Sequence, residues 1–162
     1  MVYLSMSKTL RILTIEDKQD EKILRTKSSP VKEDEFNTKI FNEFLDNLLK
    51  TAKESKEPAG GIAANQVGIN KNVFYILNYD TDKWELFINP IVDPEGFAKT
   101  SIEESCLSVP NREEKILRYK KVKITYQDRH GEKKTKKYSD LNAVTIQHEK
   151  DHLDGILFID RI

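Results

Sequence analysis

At 162 residues the chain has the length of one domain, 1–162, and is long enough to bury a core without disulfide staples. Hydrophobic residues make up 38% and charged residues 33%, with 27 basic against 27 acidic side chains, which excludes a disordered polyelectrolyte and any global field for DNA or an anionic membrane. The single cysteine, Cys106, excludes an internal disulfide; no apolar run reaches the ~20 residues of a membrane span, Met1 to Leu10 lacks a signal peptide's apolar stretch, and a cytoplasmic protein is expected.

Ile12 to Ile15 is a short, mostly apolar stretch, and the charged segment after it, to Ser29 and Pro30, is expected to wrap the surface in extended form. From Asp34 to Ser55, Phe36, Ile40, Phe41, Phe44, Leu45, Leu48, Leu49 and Ala52 recur mostly at steps of three and four, which predicts an amphipathic helix. Asn72 to Tyr79, Trp84 to Val92 and Phe97 to Ser105 are rich in β-branched and aromatic residues and broken by Asp, Pro and Gly, so they read as strands. Val122, Ile124 and Tyr126 alternate with polar residues, Asp128 to Gly131 supplies a turn, and Glu132 to Tyr138 returns as a hairpin partner. Lys133, Lys134, Lys136 and Lys137 fit the solvated side of an edge strand, with an RNA contact as the weaker alternative. A last helix starts at Ser139 or Asp140 and ends at Gly155. With no repeat and no break in composition, the class is α+β with an antiparallel sheet.

The chemistry gathers on that last helix. His148 and His152 are four apart, so they lie within ~40° of each other on one face and can reach one ion. Glu149 completes a His-Glu-x-x-His pattern, in which two ligands and one non-ligand carboxylate surround a water activated by the metal. The competing reading is a surface helix that carries two histidines by chance. Against it, the chain has three histidines, His130, His148 and His152, and two fall in the motif. Leu141, Val144 and Thr145 continue the same face as a mainly apolar wall, as a pocket needs.

A catalytic ion needs a third protein ligand. The longer protease pattern places a histidine at position 158, which is Phe158 here, and the chain stops at Ile162 before any later helix that could offer an acid. An upstream ligand is therefore expected, and Cys106 is the candidate, since thiolate and imidazole together suit Zn²⁺ or Fe²⁺. A buried packing cysteine is the alternative.

Three ordered motifs resemble the peptide deformylase family, enzymes that remove the formyl group from the N-terminal methionine of new polypeptides. The family's Gly-x-Gly-Leu-Ala-Ala-x-Gln stands here as Ala59-Gly60-Gly61-Ile62-Ala63-Ala64-Asn65-Gln66, and its Glu-Gly-Cys-Leu-Ser as Glu104-Ser105-Cys106-Leu107-Ser108. Its Gln-His-Glu-x-Asp-His-Leu-x-Gly stands as Gln147 to Gly155, and the likeness extends over nearly the whole chain.

The resemblance implies antiparallel sheets wrapped around a central C-terminal helix. It also implies one divalent ion on Cys106, His148 and His152, Fe²⁺ in the cell, with Zn²⁺, Ni²⁺ or Co²⁺ possible after purification. Glu149 would take a proton from water and return it to the departing amine, while Gln66 and the backbone N–H of Leu107 would stabilise charge on the former carbonyl oxygen. Gly60, Gly61 and Ile62 would let the peptide backbone approach, and Ile102, Leu141, Val144 and Thr145 would line the methionine pocket, although each apolar member could equally be plain core. The implied partner is a formyl-Met nascent peptide, met by a monomer in transient contact with the ribosome, in a bacterium or an organelle. The end at Ile162 does not support docking through a C-terminal tail.

Ala59 and Ser105 replace family glycines, and Ser105 would strain the loop carrying Leu107 if that position needs a glycine-only angle. Glu113 stands where many members carry arginine, a loss that Arg112 could offset. Two other readings remain open: a non-catalytic zinc module closed by His130 as fourth ligand, and a small zinc protease that cuts unformylated peptides internally.

Overall fold

The structure, a computed structural model, describes residues 7–162, so the reading of Met1 to Leu10 lies outside it as far as residue 6. Among the described residues, three α-helices and seven strands follow in chain order: α1 (Lys18–Leu24), α2 (Lys39–Lys53), β1 (Gly61–Ala63), β2 (Val73–Asn78), β3 (Lys83–Pro94), β4 (Lys99–Cys106), β5 (Val109–Tyr119), β6 (Lys121–Gln127), β7 (Lys133–Ser139) and α3 (Asp140–Leu153). All pairings are antiparallel, in a five-stranded sheet ordered β1-β2-β3-β6-β7 and a two-stranded sheet β4-β5. The α+β class and the antiparallel sheets match the expectation.

Three elements, α1, the short β1 and β5, are additional to those expected. The segment read as an extended wrap contains α1, whose start is capped by the Asp17 side chain accepting from the backbone N–H groups of Gln19 and Asp20. Seven residues hold too few turns for apolar periodicity to show, and Leu24 is its one fully buried apolar residue. The structure also adds β5, an eleven-residue strand whose middle, Asn111 to Lys115, is polar on both faces. The amphipathic helix begins later than Asp34, because Asn37 has φ +62° and Thr38 accepts from the N–H of Phe41 as the cap.

Strand alternation explains how the layers stack. In β2, Val73 and Tyr75 pack with Phe41, Leu45, Leu48 and Ala52 of α2, while Phe74 and Ile76 pack with Ala143, Ile146 and Leu153 of α3. The two helices thus cover opposite faces of the larger sheet, which accounts for an apolar run in β2 buried on both sides. α3 also touches β4 and β5, so it lies between the two sheets. Behind it, Gly155 (φ +75°) ends the helix and turns the chain into a 3₁₀ turn, Phe158–Arg161. A Cβ on Gly155 would sit 2.5 Å from the carbonyl oxygen of Arg25, so both conformation and space call for glycine. Phe158 packs with Val109, Ile116 and Leu157 under the β4-β5 hairpin. β7 is an edge strand, and its lysines pair with Asp128, Glu85 and Glu95. Among the described residues no helix is long and apolar enough to cross a membrane.

Candidate metal centre

β4 and β5 join through a two-residue turn at Leu107 and Ser108, which leaves Cys106 at the tip of β4, facing α3. The sulfur of Cys106 and one nitrogen each of His148 and His152 lie within 4.8 Å of one another. Cys106 Sγ is 3.3 Å from His152 Nε2, and the imidazole rings stand 5.0 Å apart at 69°. Helical spacing supplies the histidines, and the hairpin supplies the thiol 42 residues upstream of the nearer one.

A buried polar chain orients these groups. His148 Nδ1 bonds Glu104 Oε1 at 2.8 Å, which leaves Nε2 for the cluster. Arg118 grips Glu104 with two bonds of 2.7 and 2.8 Å and reaches Asp151 Oδ2 at 2.7 Å, and Arg161 holds Asp151 from outside. Glu104 and Arg118 are 7% and 4% exposed, so the pair relies on these bonds rather than on water. Burial pulls up on the Glu104 carboxyl, but Arg118 and His148 outweigh it and hold its pKa below the ordinary value. Phe158, at the position a longer protease motif would give to a ligand, stacks on His148 at 5.9 Å. Glu104 and Asp151 fall within the sequence motifs without a role that the motifs give them, and Arg118 lies outside all three. No local spacing ties Arg118 to Asp151, 33 residues away.

Burial lowers the pKa of His152 well below the ordinary value, with the charges of His148 and Arg118 adding to the effect, so it is a neutral imidazole ready to ligate. Burial also pulls His148 down, but contacts with Cys106 and Glu104 overcome it and push the pKa up to about 10. Ion binding there is coupled to release of a proton. Glu149 is 3% exposed, and its Oε2 has no hydrogen-bond partner among the described residues. Burial pushes its pKa up to about 7, the range in which a carboxyl can both take and give a proton near neutrality.

β1 and the 3₁₀ turn Ala64–Val67 form the facing wall. Gln66 Oε1 accepts from the N–H of Ala63 at 2.9 Å, which turns its amide NH₂ towards Ser108 Oγ at 3.1 Å and Cys106 Sγ at 3.6 Å. Asn65 donates to the carbonyl oxygen of His152, which ties this wall to α3. The N-terminal segment straps both walls, with Leu13 N–H bonded to Gln66 O at 2.7 Å and Ile15 N–H to Ser108 O at 3.0 Å.

A cavity of about 620 Å³ opens between the walls, and Gly61, Gln66, Cys106, Leu107, His148 and Glu149 all line it. Of the residues expected around substrate, Gly61 lines this cavity, whereas Gly60, Ile62, Ile102, Leu141, Val144 and Thr145 do not. Ile62 is fully buried in the core under α2, and Gly60 sits against Tyr79. Val144 is 2% exposed on α3, Leu141 is 38% exposed, and Ile102 and Thr145 are half-buried. Ser105 lines the cavity but is not among the described residues with positive φ, so its backbone is one that any residue adopts and the expected strain is absent. His130 is exposed in the β6-β7 turn, bonds Asn37 Oδ1 at 2.8 Å and stands outside the Cys106, His148 and His152 cluster, which argues against the four-ligand module.

One thiolate and two imidazoles whose donor atoms converge, with an unpartnered carboxylate beside them, fit a divalent ion with an open coordination position. A family model described as polypeptide deformylase matches residues 9–162. The chain is 38% identical over 160 residues to a peptide deformylase of Helicobacter hepaticus, covering 95% of this chain and 83% of that one. It is 36% identical over 145 residues to a peptide deformylase of Fusobacterium nucleatum, covering 90% and 81%. A class I type b peptide deformylase from Acinetobacter baumannii, solved with Met-Ala-Ser bound, superposes with a TM-score of 0.87 at 30% identity over 97% of this chain and all of that one. With nearly its whole length matched in sequence and fold, this chain belongs to the peptide deformylase family, metal-dependent hydrolases.

Proposed function

We propose that the chain, working as one domain, hydrolyses the N-formyl group from formyl-methionine at the start of nascent polypeptides and releases formate. Cys106, His148 and His152 would hold one divalent ion, Fe²⁺ in the cell, since their donor atoms converge on one point and mix thiolate with imidazole. When bound, the ion supplies Lewis acidity towards water and the formyl carbonyl.

The chain's own residues then carry the proton and the charge. Glu149 takes the proton of the attacking water and delivers it to the departing amine nitrogen; its buried, unpartnered Oε2 and raised pKa support that role. Gln66 and the Leu107 N–H donate to the oxygen that gains negative charge, and the bond from Ala63 keeps the Gln66 NH₂ aimed at the site. β1 is an edge strand of the larger sheet beside the cavity, so an extended peptide can add to it, with Gly60 to Ile62 as the approach. Ile102 shares a face of β4 with Glu104, which bonds His148, while Leu141, Val144 and Thr145 lie one to two turns before His148 on α3. These side chains are assigned to the methionine side chain, beyond the cavity itself. The enzyme is read as a monomer of bacterial-type cytoplasm that meets its substrate in transient contact with the ribosome, where nascent chains emerge.

The observation that carries this reading is the convergence of Cys106, His148 and His152 beside Glu149. Protein loaded with Fe²⁺ or Ni²⁺ should release formate from formyl-Met-Ala-Ser. Retention of the metal without formate release from any formyl-Met peptide would overturn it.

A further inference from the structure

A second cavity, of about 360 Å³, lies behind α3 against the β4-β5 hairpin and the final 3₁₀ turn. Gln147, Lys150 and Asp151 line it, whereas His148 and Glu149 line the catalytic cavity. At ~100° per residue these two sets occupy opposite faces of the helix. The two cavities share no lining residue, so both can be filled at once.

The walls of the second cavity are basic. Lys99 from β4, Arg118 from β5, Lys150 from α3 and Arg161 from the final turn surround a single acid, Asp151. Lys150 is held by Asp154 at 2.7 Å, and the two arginines share Asp151. Lys99 has its ammonium 4.9 Å from the centre of the Tyr119 ring and no ion pair among the described residues.

Arg118 adds an independent pointer to a ligand. A guanidinium carries five N–H groups, and Arg118 uses three of them on Glu104 and Asp151. The others have no hydrogen-bond partner among the described residues, on a side chain too buried for ready access to water. Donors left so cost free energy until something accepts from them, and the second cavity is the one that Arg118 lines. A carboxylate offers two oxygens, which one arginine fork can occupy fully; a phosphate group offers at least three and carries more charge. Cations set on three separate elements therefore suit phosphate better.

We propose that this cavity binds a phosphate group, free or as a monoester, with Lys99, Arg161 and the unspent N–H groups of Arg118 as donors. Arg118 also grips Glu104, which bonds His148, so the ligand would touch the chain that orients a metal ligand without entering the catalytic cavity. The site owes nothing to the reaction proposed above, and its test needs no turnover.

Calorimetric titration of the Ni²⁺-loaded protein at low salt, with inorganic phosphate and with adenosine monophosphate, reads the binding directly. Inorganic phosphate should bind saturably, and acetate at the same concentration should not displace it. Lys99 is exposed at the first residue of β4, so Lys99→Glu needs no repacking; it should weaken binding by about tenfold, whereas Lys99→Arg should retain it. Phosphate held on the metal instead would bind Lys99→Glu as tightly as the unmodified protein. That result, or saturable binding of neither ligand, overturns the site, and an acetate affinity equal to that of phosphate overturns the choice of phosphate. Adenosine monophosphate binding about tenfold tighter than inorganic phosphate supports the site as one for a monoester, and equal binding supports it as one for the free ion.

Discussion

Gly61 and Glu149 meet so closely that a Cβ on residue 61 would sit 2.8 Å from Glu149 Oε1 and 2.9 Å from its Cγ. The same atom would lie 2.9 Å from the carbonyl oxygen of Tyr75, so the strand cannot yield without disturbing the β1-β2 ladder. Glycine here is a matter of space rather than of dihedral angle, because Gly61 is not among the glycines with positive φ. In Gly61→Ala the carboxylate should swing away, and a displacement near 1 Å costs roughly 10²-fold in rate. Metal content should stay unchanged, since Gly61 touches none of the three ligands among its nearest neighbours. Metal analysis beside kcat separates this from general unfolding, and unimpaired turnover would contradict the contact.

Glu104→Gln tests how His148 is held. The amide can still accept at His148 Nδ1, but it loses the charge that Arg118 and His148 share. Loss of such an outer partner typically weakens metal affinity by about 10- to 100-fold. Competition with a chelator of known affinity reads the change directly, and an unchanged affinity would mean that Glu104 serves only to satisfy Arg118.

Arg118→Met addresses stability. Removing the guanidinium strands Glu104 and Asp151, whose side chains are 5% and 10% exposed. Breaking a buried pair in this way costs about 3 to 5 kcal/mol. Urea unfolding should show a lower midpoint with little change in slope. Arg161 still pairs with Asp151, so a loss towards the lower end fits the structure best.

Ser105→Gly is expected to give no gain in rate. Ser105 adopts a backbone open to any residue, so glycine relieves no strain and instead adds freedom to the unfolded chain, at about 0.5 to 1 kcal/mol. A tenfold rise in kcat would show that the serine side chain itself obstructs the cavity it lines.

The sequence made the helix-borne half of the site legible because His148, Glu149 and His152 sit within five residues, where helix geometry alone brings them together. Cys106 was open between ligand and packing roles until the resemblance spoke for the former, and the hairpin that presents it was only half anticipated. Val109–Tyr119 was missed because Arg112, Glu113, Glu114 and Lys115 break its alternation, and a ladder pairing such as Ile102 with Ile116 leaves no trace in local pattern. The charged stretch that became α1 carried its signal in one residue, Asp17, as a cap rather than in periodicity. Arg118 was illegible for a similar reason, since its partners come from β4 and α3 and are joined only when the sheets close around the helix. Helical spacing puts Leu141 and Val144 on a single wall beside the ion, yet one is 38% and the other 2% exposed, a difference set by packing that helical phase does not encode.

The central claim is that the metal ligands and the proton carrier are separate residues of one helix and one hairpin. Glu149→Ala and Cys106→Ser, each assayed for bound metal and for formate release, test it most directly. Glu149→Ala should keep its metal and lose about 10²- to 10⁴-fold in turnover, whereas Cys106→Ser should lose both together. Equal metal loss in the two variants, or turnover retained by Glu149→Ala, would contradict the division of roles.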